Sequence, residues 1–215
     1  MHFISPNSPL GRWLAFLLDA LFISVMWALC SLPIITLGAS TAALNRVAHN
    51  WMKERSDCSV KYFLQAFKEN LKGGTLVWLI LMVPLAFILF NAYAAFIALV
   101  ETTATAKWMI LISAALWMAV TIYALSLQAI FENPPVRTVF NALRIAVSHL
   151  GTTIILVALF ALSVAATLLL PYGAFAYAPF CAFLAARPVW NVFKKVMAMP
   201  EVTVVTPDEL EEEGE

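Results

Sequence analysis

Charge is scarce in this sequence: 12% of its 215 residues are charged, against 62% that are hydrophobic. Soluble domains carry roughly a quarter charged residues and about half apolar ones, so a solvated globule is excluded. A formal net charge of +0 also leaves no basic excess for binding nucleic acid. Cysteine is scarce too. Cys30, Cys58 and Cys181 are odd in number with no short spacing between them, which excludes a disulfide framework and a zinc motif; they read as packing residues. With seven glycines there is no Gly-rich phosphate loop, and no paired metal-ligand spacing or nucleophile motif occurs. No catalytic centre, metal site or cofactor is predicted. His2, His49 and His149 are far apart and lie in loops or at their edges, where they read as surface histidines. No small-residue cleavage site follows the first apolar run, which reads as a retained helix.

What the sequence has is long apolar runs and a mean hydropathy of +0.86. A bilayer leaves no water for unpaired backbone groups, so spanning segments are helices or closed barrels, and unbroken runs favour helices. The predicted fold is all-α: a polytopic membrane protein with five transmembrane helices, about residues 13–37, 76–100, 108–131, 151–170 and 172–186, in one helical membrane domain over 1–200. Pro33 ends the first span, and Pro171, Tyr172 and Gly173 divide the last run. Asp208, Glu209, Glu211, Glu212, Glu213 and Glu215 crowd residues 201–215, predicted to be a solvated, disordered tail.

Basic residues concentrate in cytosolic loops. With five spans, eleven fall on one side: Arg46, Lys53, Arg55, Lys61, Lys68 and Lys72 in loop 38–75, Arg137 and Arg144 after the third span, and Arg187, Lys194 and Lys195 near the end. Arg12 and Lys107 alone fall on the other. The reading is a multi-pass membrane protein, N-terminus out and C-terminus in. Trp13, Trp51, Trp78, Trp108 and Trp190 fall near predicted interfaces, whereas Trp27 and Trp117 lie mid-span and read as helix packing.

The long loop is not structureless. Val60, Phe63, Leu64, Phe67 and Leu71 recur at helical spacing opposite Lys61, Gln65, Lys68, Glu69 and Lys72. Ser59 reads as its N-cap and Gly73-Gly74 as its stop. Such a cytosolic amphipathic helix either lies on the anionic inner leaflet or folds back over the bundle. A second short helix is predicted over 40–52.

Polar groups inside spans are costly in lipid unless they face a partner or cavity, which selects the candidate residues. Asp19 is the acid deepest in a span, about two turns from Arg12 on the same face; an ion pair or snorkelling carboxylate stands beside a proton-coupling role. Asn91 and Gln128 read as interhelical hydrogen-bond glue. Glu132, Asn133, Pro134 and Pro135 read as a cap-and-turn at the mouth of the third span, with Glu132 a candidate for binding.

The stretch SPLGRWLAFLLDALFISVMWALCSLPIITLGASTAAL resembles the opening of the bacterial YesL-like membrane proteins, a family of unknown function; CSLPIITLGASTAAL is its most specific part. FLQAFKENLKGGTLVWLI and IFENPPVRTVFNALRIAVSHL extend the resemblance to about residue 199. It implies a cytoplasmic-membrane protein linked with carbohydrate uptake and utilisation, with a sugar ABC transporter as the kind of partner, and it carries no enzymatic activity. A small transporter or channel subunit is the alternative. Within the matching residues, Gly38 permits a tight exit, and Ser40 or Thr41 can cap the next helix, leaving N–H groups that could hold an anion.

If the charge split sets the topology, an impermeant thiol reagent labels Cys58 only after the cells are permeabilised. Efficient labelling of intact cells reverses the assignment.

Overall fold

In a computed structural model, backbone is described for residues 9–54, 60–96, 103–131, 133–169 and 174–197, and side chains for 18–52, 60–95, 103–131, 133–166 and 181–197. Every regular element among them is helical: α1 (Pro9–Ser31), a 3₁₀ turn (Ile34–Thr36), α2 (Leu37–Glu54), α3 (Val60–Phe96), α4 (Ala104–Ile130), α5 (Pro135–Ser148), α6 (Leu150–Leu169) and α7 (Ala174–Met197). The acidic tail, Ser59 and Glu132 lie outside the described residues.

Among the described residues, two helices are long and apolar enough to cross a membrane, over Val60–Ala95 and Ala104–Ile130, or three if the pair Pro135–Ser148 and Leu150–Ala166, bent by 106°, counts as one span. The chain is therefore a helical membrane protein with two or three candidate spans by length and composition. The described apolar part of α1, Leu18–Ser31, is shorter.

Pro33 breaks the chain after α1 as expected. It has no N–H to donate, and the backbone tightens into the 3₁₀ turn before α2 starts. The expected stop at Gly73-Gly74 is overturned, since α3 runs through both glycines and through Pro84 as one helix of 37 residues. At about 1.5 Å per residue it is roughly 55 Å long. The glycines act instead in packing. A Cβ on Gly74 would lie 2.8 Å from the Ala39 Cα, and one on Gly38 would collide with the Gly74 carbonyl oxygen and the Trp78 Cβ. Two backbones approach here more closely than any side chain allows. Gly38 is thus a packing residue inside α2 and not a membrane-exit turn.

The helix expected over 40–52 is α2, and its role exceeds the expectation. It touches α1, α3, α4 and α7, and Ala39, Ser40, Ala42, Ala43, Leu44, Val47 and Ala48 on it are buried. The first half of α3 packs back on it, as one of the two readings of the loop helix foresaw. Phe63, Ala66 and Asn70 are buried while Lys61, Gln65, Lys68, Glu69 and Lys72 are exposed; Leu64 and Leu71 are exposed too. Gly38 meets Gly74 and Arg46 pairs with Glu69 at 2.6 Å, an order that makes α2 and α3 antiparallel.

Two apolar cores result. One joins α1, α2 and α3 around Ile23, Ala43, Leu44, Val47 and Phe63. The other joins α3 to α7 around Leu81, Tyr123, Leu127, Ile145, Leu156 and Phe193. After Phe131 the sequence pattern predicts a cap-and-turn over residues 132–135 and no helix beyond it. Pro134 and Pro135 do turn the chain, but Pro135 occupies the first position of helix α5, where its missing N–H would be unpaired anyway.

Gly38→Ala is expected to destabilise the protein by about 1–3 kcal/mol through overpacking. Gly151→Ala, where an added Cβ meets nothing within 4 Å, is expected to stabilise helix α6 by up to about 1 kcal/mol. Thermal unfolding in detergent checks both signs.

Candidate functional site

The joint between α1, α2 and α3 contains two of the predicted site residues. The Ser40 hydroxyl lies 2.7 Å from that of Ser31 and donates to the Leu37 carbonyl at 3.0 Å. Thr41 accepts from the Trp27 indole N–H at 3.3 Å, which makes Trp27 a packing residue as expected. Neither Ser40 nor Thr41 caps α2, because that helix begins three residues earlier at Leu37. Ahead of α2, Thr36 N–H donates to the Pro33 carbonyl at 2.9 Å and Leu37 N–H to that of Ile34. The Thr36 hydroxyl reaches back to the Cys30 carbonyl at 2.7 Å. Trp78, expected at an interface, is buried and donates to the Ile34 carbonyl at 3.0 Å. These bonds hold the turn against α3.

Gln128 sits elsewhere, at the crossing of α3, α4 and α5. Its side chain lies where a Cβ on Gly73 would stand, and its Oε1 accepts from the Thr138 hydroxyl at 3.3 Å. It is interhelical glue as expected. Trp117, also expected to pack, donates to the Leu81 carbonyl at 2.8 Å. This bond pins α4 to α3 one turn before Pro84. Tyr123 and Thr153 form a further pin at 3.3 Å between α4 and α6, and Thr153 also donates to the Ala146 carbonyl at 2.9 Å.

Of the other candidates, Asn91 does not join these groups. Asn91 donates to the Phe87 carbonyl at 2.8 Å within its own helix, so the expected interhelical bond is replaced by a local one. Asp19 is half-buried on α1, and its proposed partner Arg12 has a side chain outside those described. Glu132 is not among the described residues.

A small, mainly apolar pocket with three polar side chains, which residue patterns did not reveal, lies where α2, α4 and α7 meet. Asn45, His49 and Ser126 line it with Ile122, Ile130, Ala182, Ala185, Ala186 and Val189 around a cavity of about 30 Å³. His49, expected on the surface, is buried. Its ring lies 4.3 Å from that of Trp190 in an edge contact, with Lys194 Nζ 5.6 Å from the Trp190 ring centre. Ser126 donates to the Ile122 carbonyl at 2.7 Å. Three alanines on α7 leave the space, which suits one or two water molecules and is about a tenth of the smallest ordinary small-molecule sites. The signal was present in the i, i+4 spacing of Asn45 and His49. What brings Ser126 opposite them is the packing of α4 on α2.

Residues 16–92 match a family model described as a protein of unknown function, DUF624. The match covers most of α1 together with α2 and most of α3, and so takes in the whole joint. No curated protein and no solved structure matches the chain.

Trp117→Phe keeps the ring and removes the donor to Leu81. It is expected to cost about 0.5–1.5 kcal/mol, the net worth of one interhelical hydrogen bond. Trp108→Phe, at a ring that is 66% exposed, is expected to change stability by less than about 0.5 kcal/mol. Equal effects in detergent unfolding would remove the pinning role.

Proposed function

We propose that the protein is a non-enzymatic accessory or scaffold subunit of the bacterial cytoplasmic membrane, crossing it five times with its N-terminus outside and its C-terminus inside. The observation that carries this reading is the use of its interior polar groups. Ser31 with Ser40, Trp27 with Thr41, Trp78 with Ile34, Trp117 with Leu81 and Gln128 with Thr138 each join one helical element to another. These groups brace the helices against one another and do not converge on a substrate. The resemblance to YesL-like proteins supports a link with carbohydrate uptake, with a sugar ABC transporter as the kind of partner. The alternative, a small transporter or channel subunit, draws on the Asn45–His49–Ser126 pocket, which would have to widen about tenfold to hold a small-molecule substrate.

Co-purification from native membranes with components of a carbohydrate uptake system is the expected outcome, and Asp19→Asn is expected to leave the associated uptake within about twofold. Substrate accumulation by the purified protein alone in proteoliposomes, abolished by Asp19→Asn, would overturn the accessory reading in favour of a carrier.

A further inference from the structure

Helix α5 lies between two predicted spans, and its surface pattern differs from that of its neighbours. Thr138, Ala142, Ile145 and Ala146 form its buried side. The opposite stripe, Val136, Phe140, Leu143 and Val147, recurs at helical spacing, with Phe140 67% exposed. The exposed Arg137 and Arg144 flank one edge of that stripe, seven residues apart and so on one face. A large apolar stripe edged by guanidinium groups is unsuited to water and suited to the boundary between headgroups and acyl chains.

Orientation supplies an independent argument. Helix α6 has 20 residues, about 30 Å at 1.5 Å per residue, the thickness of the hydrocarbon core. Helix α5 has 14, about 21 Å, too short to cross. The bend of 106° between them places α5 close to the membrane plane when α6 stands along the normal.

The depth of that plane can be read from α3. Along one exposed face, Lys61, Lys68 and Lys72 give way to Leu76, Leu79, Val83 and Phe90, a change from cations to apolar groups within about one turn. The Gln128 side chain touches Gly73, just past Lys72, and Thr138 on α5 bonds to the same Gln128. Helix α5 therefore begins at the level where α3 changes from charged to apolar. Glu69 does not neutralise these cations, since Arg46 and Gln65 hold its carboxylate at 2.6 and 3.0 Å.

We propose that α5 is an in-plane membrane helix whose stripe Val136–Phe140–Leu143–Val147 enters the acyl boundary while Arg137 and Arg144, with Lys72 at the same level, bind the phosphates of anionic lipid headgroups. This rests on the membrane reading of the chain and names a surface and a ligand class beyond it.

Single cysteines at positions 136, 140, 143 and 147, in a full-length chain with Cys30, Cys58 and Cys181 replaced by serine, can carry nitroxide spin labels in vesicles of phosphatidylglycerol and phosphatidylcholine. Oxygen and nickel-chelate accessibility should place all four labels within about one helical turn, ~5 Å, of the same shallow depth. A label at Ile112, 65% exposed on α4, should lie deep in lipid. Depth rising steadily by about 16 Å from 136 to 147, as in a helix along the normal, overturns the proposal; so do four water-exposed labels beside a deep Ile112 label. A water-exposed Ile112 label instead overturns the membrane reading itself. For the headgroup contact, phosphatidylglycerol titrated into the protein in neutral mixed micelles should raise its thermal midpoint. R137Q and R144Q should each require about fivefold more of that lipid for the same rise. Equal responses to phosphatidylglycerol and phosphatidylcholine overturn the lipid assignment.

Discussion

The contact between Gly38–Ala39 and Gly74 is the constraint on which the rest of the structure depends. It lets the backbones of α2 and α3 meet with no side chain between them, and Trp78 on the next turn closes over the site to bond the Ile34 carbonyl. Glycine inside a helix costs up to about 1 kcal/mol against alanine. The sequence tolerates this in α3 because a longer helix, bound along its first half to α2, gains more from close packing than it loses in propensity. Widening this contact would separate α2 from α3, and with it the core around Phe63 and Val47.

From that contact follows the unusual place of α2. It is the least apolar of the long helices, yet it lies among four others. Small residues permit this: alanine and serine at 39, 40, 42, 43 and 48 let neighbours approach, and dispersion contacts accumulate where the apolar solvent gives no hydrophobic drive between helices. Two polar residues of α2, Ser40 and His49, are then buried. Asn45 and His49 enter a small pocket, and Arg46 reaches Glu69 at the surface.

Hydrogen bonds from tryptophan, serine and glutamine complete the frame. In lipid an unpaired backbone carbonyl is costly, so a proline such as Pro33 or Pro84 has to be answered by another donor. At Pro33 the donors are local, Leu32 N–H to the Leu29 carbonyl and the Thr36 hydroxyl to that of Cys30, while Trp78 and Trp117 add indole bonds to the Ile34 and Leu81 carbonyls across helix crossings. The indole offers a donor on a large apolar ring, so one residue both fills the helix crossing and satisfies the carbonyl.

Composition and local chemistry were enough for the solvent, the helical class, the break at Pro33, the apolar run from residue 76 and that of α4, and the packing role of Trp27, Trp117 and Gln128. Each follows from composition, chain stiffness or the cost of a polar group in lipid, which act locally. The tertiary structure alone decided that Gly73 and Gly74 pack a helix and do not end it, that Ser40 joins two helices and does not cap one, and that Asn91 bonds within its own helix. It also decided that His49 is buried opposite Ser126. The physical reason is common to all four: a glycine, a hydroxyl, an amide and an imidazole each have both a local and a long-range use. Only the approach of a second helix, here set by the bare backbone of Gly74 against Ala39, selects between them.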